Sequence, residues 1–110
     1  MNLHKLFDMV HAAQASDLII SAGVPPMLRV NGKLRPAPLD ALSAEQTQAL
    51  VFNALSQEQR DQFIARKELD LSLAIGDRPR FRVNVYLQKG AVTAAFRPIP
   101  EAIPDFQTLG

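Results

Sequence analysis

From residue 69 to residue 97 the apolar residues recur at every second position, in three stretches separated by turn sequences. Leu69, Leu71, Leu73 and Ile75 alternate with Asp70, Ser72 and Ala74. Phe81, Val83, Val85 and Leu87 alternate with Arg80, Arg82, Asn84, Tyr86 and Gln88. Val92, Ala94 and Phe96 alternate with Ala91, Thr93, Ala95 and Arg97. A period of two is the signature of strands with one buried face. Gly76-Asp77-Arg78-Pro79 and Lys89-Gly90 are the turns between them. The reading is a three-stranded antiparallel meander with one greasy face and one mixed face. Such a sheet must be covered on its greasy side, and the rest of the chain has to supply the cover.

Three helices are expected to do so. Leu3, Leu6, Phe7 and Val10 fall at i, i+3, i+4 and i+7, one apolar stripe behind a candidate N-cap at Asn2. Ser43-Ala44-Glu45-Gln46 and Ser56-Gln57-Glu58-Gln59 both fit the capping box that opens a helix. After the first, Thr47, Leu50, Val51, Ala54 and Leu55 keep helical spacing; after the second, Phe63 and Ile64 are the apolar anchors. Between the first helix and the second, Leu18-Ile19-Ile20 reads as a buried strand. Ala22-Gly23-Val24-Pro25-Pro26 is a turn. Met27–Val30 and Lys33–Arg35 flank Asn31-Gly32, the dipeptide that suits a type I′ hairpin turn. Pro36, Pro38 and Asp40 lead out of that hairpin, and Pro98, Pro100 and Pro104 end regular structure. The order α-β-β-β-α-α-β-β-β makes an α+β domain over residues 1–98, with helices on one face of an antiparallel sheet and residues 99–110 as the start of a linker.

The chemistry available is limited. The 110 residues contain no cysteine, which removes disulfide, zinc-thiolate, iron–sulfur and thiol-nucleophile chemistry from these residues. A net charge of +1 gives no electrostatic case for nucleic acid or an acidic membrane surface. No apolar run approaches the ~20 residues of a spanning helix, and no signal-peptide core opens the chain, so a cytoplasmic location is expected. There is no Gly-x-x-x-x-Gly-Lys-Ser/Thr loop and no Gly-x-Ser-x-Gly elbow. His4 and His11 lie two turns apart on the first helix without a carboxylate partner in sequence, the pattern of surface histidines.

One arrangement stands out. If Lys89-Gly90 closes a hairpin with 88 opposite 91, then 82 faces 97. Arg82 and Arg97 would sit directly across from each other on the mixed face, with Arg80 one step along. Like charges in that relation cost a few tenths to about 1 kcal/mol. Two guanidiniums on one face suit a phosphate, which each can grip bidentately. The alternatives are two side chains splayed into water, or carboxylate partners brought from elsewhere in the chain.

Several segments resemble a known family. Ala15-Ser16-Asp17-Leu18 and Ser21-Ala22-Gly23-Val24-Pro25-Pro26-Met27-Leu28-Arg29-Val30-Asn31-Gly32 are similar to the opening of the type IV pilus retraction ATPases, the PilT/PilU twitching-motility proteins. Arg80-Phe81-Arg82-Val83-Asn84 and Phe96-Arg97-Pro98-Ile99-Pro100 resemble a second signature. Asp105-Phe106-Gln107-Thr108-Leu109-Gly110 resembles the stretch before the ATPase core. The resemblance implies a PAS-like N-terminal domain, normally followed by a P-loop core that these residues do not include. It implies cytoplasmic hexameric rings, peripheral at the inner membrane through the pilus platform machinery, that spend ATP with Mg2+ on pilus disassembly. No turnover is expected of this domain alone, which on this reading binds no cofactor by itself. The arginine of the Arg-x-Arg-Val-Asn motif, Arg82 here, would reach the nucleotide, with Arg97 and Arg80 as weaker candidates. Ile19 stands where the family commonly has histidine, a feature of the accessory PilU-like branch, whereas Ser21–Met27 is more like the PilT branch. Two other readings compete: a PAS-like module sensing a small ligand, and a purely structural interaction domain.

Overall fold

A computed structural model describes residues 2–74 and 80–99. The expected loop at Gly76–Pro79, the end of the first meander strand at Ile75, and the linker from Pro100 onward lie outside the described residues.

The helices begin where their caps dictate. α1 spans Leu3–Ala13, and the Asn2 side chain accepts from the Lys5 amide at 2.9 Å. Its stripe of Leu3, Leu6, Phe7 and Val10 is buried. α2 (Ala44–Asn53) and α3 (Gln57–Arg66) each carry a reciprocal capping box, Ser43 with Gln46 and Ser56 with Gln59. In α2 the inward residues are Thr47 and Val51, and the Thr47 hydroxyl is satisfied by the Ala44 carbonyl at 2.9 Å. Ala54 already caps α2, so Leu55 enters the core from the turn and not from the helix. The expectation for α3 holds for Phe63, which is buried, and fails for Ile64, which is 54% exposed. Ile64 is the residue after Phe63, rotated about 100° around the helix, and a narrow apolar stripe cannot bury both.

Six strands form one antiparallel sheet: β1 (Asp17–Ile20), β2 (Met27–Val30), β3 (Lys33–Pro36), β4 (Glu68–Leu73), β5 (Phe81–Gln88) and β6 (Ala91–Pro98). Both tight hairpins have two-residue turns with positive φ at each position: Asn31 at 53° with Gly32 at 80°, and Lys89 at 52° with Gly90 at 79°. Pro36 ends β3 instead of lying beyond it; β3 is the outermost strand, where a missing amide donor is tolerated. The order β3-β2-β1-β6-β5-β4 joins the amino-terminal hairpin to the meander through β1 and β6. Leu18 thereby lies opposite Phe96, and Ile20 opposite Ala94.

All three helices share one core with the greasy face of this sheet. Phe7 stacks on Phe81 with centroids 3.9 Å apart and meets Phe96 edge-on at 5.4 Å. Val51, Leu55 and Phe63 join Leu18, Ile20, Leu69, Val83, Val85 and Ala94 in the same cluster. The turn at Ala22–Pro26 is pinned to the segment before α2: the Gly23 amide donates to the Leu42 carbonyl at 2.7 Å, and the Leu42 amide to the Val24 carbonyl at 3.0 Å. No helix among the described residues is long and apolar enough to cross a membrane.

Candidate functional site: an arginine row across the sheet

Alternation sends the residues between the core positions to the opposite face. There the registers line up one row from β4 to β2: Ser72 faces Arg82, Arg82 faces Arg97, and Asp17 faces Arg29. The hairpin closes with Gln88 opposite Ala91, so the two arginines are cross-strand neighbours as the spacing requires. β1 lies beside β6, and Asp17 reaches the same row from it.

The structure supplies both guanidiniums with carboxylates, and the two pairs differ in kind. Arg82 approaches Asp70 from β4 at 3.7 Å, with side chains 70% and 56% exposed. An ion pair this long and wet contributes about 0–1 kcal/mol and is easily exchanged. Asp17 is 12% exposed. Its Oδ1 accepts from Arg97 Nε at 3.1 Å, while Oδ2 accepts from the Ser16 hydroxyl at 2.9 Å and lies 3.3 Å from Arg29 Nε. A carboxylate so enclosed needs these partners, because losing one leaves a charge short of water and of counter-charge. Arg80 lies just before β5 and donates to the Ser72 hydroxyl at 2.6 Å. Its backbone carbonyl accepts from the Ile99 amide at 2.9 Å.

The three arginines singled out from the sequence therefore come together on one side of the sheet in three conditions: Arg82 loosely paired, Arg80 on a neutral hydroxyl, Arg97 firmly seated on Asp17. A cleft of about 220 Å³ is bordered by Arg82 and Arg97, with Asp17, Asp70, Asn84, Ala95 and Phe96 also in its walls. A second, of about 340 Å³, shares Asp70 and Arg82 and is completed by Leu71, Ser72 and Ile99. The sequence reading assigns no arginine to Asp17, which it names only within the Ala15–Leu18 segment, or to Asp70. Asp70 alternates like any solvent-facing strand residue, and Asp17 contacts a residue 80 positions away, which local patterning does not reveal.

The arrangement can hold an oxyanion: Arg82 and Arg97 are cross-strand neighbours that border one cleft, and the long Arg82–Asp70 contact can be traded. It offers no nucleophile paired with a base. Among the described residues no group of three His, Cys, Asp or Glu side chains could hold a metal ion. His11 is engaged edge-on with Phe81 at 6.2 Å, in keeping with a surface histidine bordering the core.

No family model matches the chain. It is 36% identical over 110 residues to the type IV pilus retraction ATPase PilT of Pseudomonas aeruginosa, covering all of this chain and 32% of that protein. It is 34% identical over 109 residues to the type IV pilus ATPase PilU of the same organism, covering 99% of this chain and 28% of that one. Its fold superposes on the crystal structure of the pilus retraction motor PilT with bound ADP at a TM-score of 0.89, with 32% identity, across all of this chain and 32% of that one. The chain spans about a third of the length of the relatives it matches.

Proposed function

We propose, since the chain is a homologue of the PilT/PilU twitching-motility proteins along its entire length and has the fold of the PilT N-terminal domain, that it serves as the regulatory and assembly domain of an ATP-driven pilus-retraction motor. The parent protein would be a hexameric ring at the cytoplasmic side of the inner membrane, contacting the pilus platform, with ATP and Mg2+ bound mainly by a P-loop core. This domain, residues 1–98, lends that core an arginine, and residues 99–110 lead toward it.

The observation that carries this reading is the state of Arg82. It stands at the centre of the arginine row, 70% exposed, with one long contact to Asp70. A phosphate offers a bidentate, doubly charged partner in place of that exposed carboxylate. Arg82 can therefore leave Asp70 at little cost when the sheet face closes on a nucleotide. Its contact is then made in only one of two domain arrangements, which is what lets phosphate occupancy bias domain motion.

The test is ATP hydrolysis by the full-length protein. Arg82→Ala is expected to lower turnover about 100-fold or more, as loss of a charged transition-state contact does, while the domain keeps its melting temperature. Unchanged turnover removes Arg82 from the mechanism. The competing reading, a purely structural interaction domain, draws on the carboxylate that each cross-strand arginine already has. It predicts that neutral replacement of Arg80, Arg82 and Arg97 leaves turnover intact, while changes at Pro25-Pro26 impair assembly.

A further inference from the structure

Asp17 has a role that this reading does not assign. It is the counter-charge of two arginines from two different strands, Arg97 on β6 and Arg29 on β2, and it divides its oxygens between them. The bond to Arg97 is made at Nε. That atom lies at the inner end of the guanidinium, so the bond holds the group beside the carboxylate and leaves open the outer edge formed by its two terminal nitrogens. Among the described residues those terminal nitrogens have no hydrogen-bond acceptor, and the Arg97 side chain is 71% exposed although its seat is only 12% exposed. Arg29 and the Ser16 hydroxyl hold the other oxygen, so the carboxylate itself cannot rotate freely.

We propose that Asp17 is a positioning residue: it seats Arg97 by Nε so that the outer fork of its guanidinium is presented, already ordered, to an oxyanion of the phosphate class lying between Arg97 and Arg82. The proposal rests on the nucleotide-facing reading of this sheet face and adds the residue that organises it. Pre-ordering matters because an arginine carries roughly 2 kcal/mol of rotamer entropy, which an unseated side chain must lose at the moment of binding.

A simple charge argument predicts the opposite of this proposal, which makes it testable. Removing Asp17's negative charge strengthens the local positive field and should tighten anion binding; removing a seat should weaken it. The experiment uses the 110-residue chain, inorganic tripolyphosphate as the probe, and nitrogen–proton NMR of the arginine Nε–H groups. In the wild type the Arg97 Nε–H is expected to exchange slowly with solvent and to shift further on titration. Asp17→Asn should erase that protection and weaken binding about tenfold; Asp70→Asn should leave the Arg97 signal unchanged. Because Asp17→Asn could unfold the chain, Arg97→Lys supplies a second variant at an exposed position. Lysine keeps the charge but cannot rest on Asp17 and present a fork at once, so binding should fall about as far as in Arg97→Ala. Tighter or unchanged binding in Asp17→Asn, or full binding in Arg97→Lys, overturns the proposal while the nucleotide-facing reading stands. No binding by the wild-type chain overturns the proposal as well, whereas the nucleotide-facing reading, in which a P-loop core holds most of the nucleotide, falls only to unchanged turnover in full-length Arg82→Ala.

Discussion

Phe7 is the residue through which α1 is fastened to the sheet, and truncating it gives a magnitude that the geometry sets in advance. Its ring is fully buried, stacked on Phe81 at 3.9 Å and edge-on to Phe96 at 5.4 Å. Phe7→Ala removes a fully buried ring, a change that costs about 3–5 kcal/mol in a core that cannot collapse around the gap. Part of that cost is aromatic geometry, about 0.5–1.5 kcal/mol for a well-placed pair. The cavity cannot close easily here, because its other walls, Phe81 and Phe96, are side chains of a paired sheet. A loss of about 4 kcal/mol is a large share of the 5–15 kcal/mol that a domain usually has. Urea unfolding followed by circular dichroism measures it. At a slope of about 1.5 kcal/mol per molar urea, the midpoint should fall by about 2.7 M. Phe7→Leu, which keeps most of the volume, should lose only about 1–1.5 kcal/mol. A loss below about 1.5 kcal/mol for Phe7→Ala would refute the reasoning, since it would mean that α1 is not the cover of this part of the sheet.

Three further outcomes follow from the same structure. A double-mutant cycle on Asp70→Asn and Arg82→Gln should give a coupling below about 0.5 kcal/mol, because the pair is long and exposed; a coupling above about 1.5 kcal/mol would show an arginine too firmly held to change partners. Ile64→Glu should alter stability by no more than about 0.5 kcal/mol, whereas Phe63→Ala should cost about 3–4 kcal/mol in chemical denaturation. Ser56→Ala, which removes one half of the α3 capping box, should lower stability by about 1 kcal/mol.

Much of this fold is readable in the sequence because its determinants are local. The Asn2 cap, both capping boxes, the Asn31-Gly32 turn and the period of two from Leu69 to Arg97 are each decided within a few residues. The facing of Arg82 and Arg97 follows from them, since a two-residue turn fixes the register of everything behind it. What was not readable depends on contacts between distant segments. The pairing of β1 with β6 makes one sheet out of two hairpin systems. That pairing carries Asp17 to Arg97 and converts a lone acidic residue after a helix into the hub of the arginine row. Ile64 was misjudged because residue type alone does not say which way a short helix turns its stripe. Thr93 shares its parity with Arg97 yet is buried, its hydroxyl satisfied by the Ala91 carbonyl at 3.2 Å; strand alternation alone places it on the wet side.

The central claim is that a nucleotide's phosphates meet this sheet face at Arg82. The most direct measurement is a structure of the full-length protein with a non-hydrolysable ATP analogue, reading the separation between the Arg82 guanidinium and the terminal phosphate. The account predicts about 3 Å in at least one subunit, a direct charge-assisted hydrogen bond, with the contact to Asp70 broken there. Arg82 still on Asp70 in every nucleotide-bound subunit, with its guanidinium about 8 Å or more from any phosphate oxygen, would contradict it.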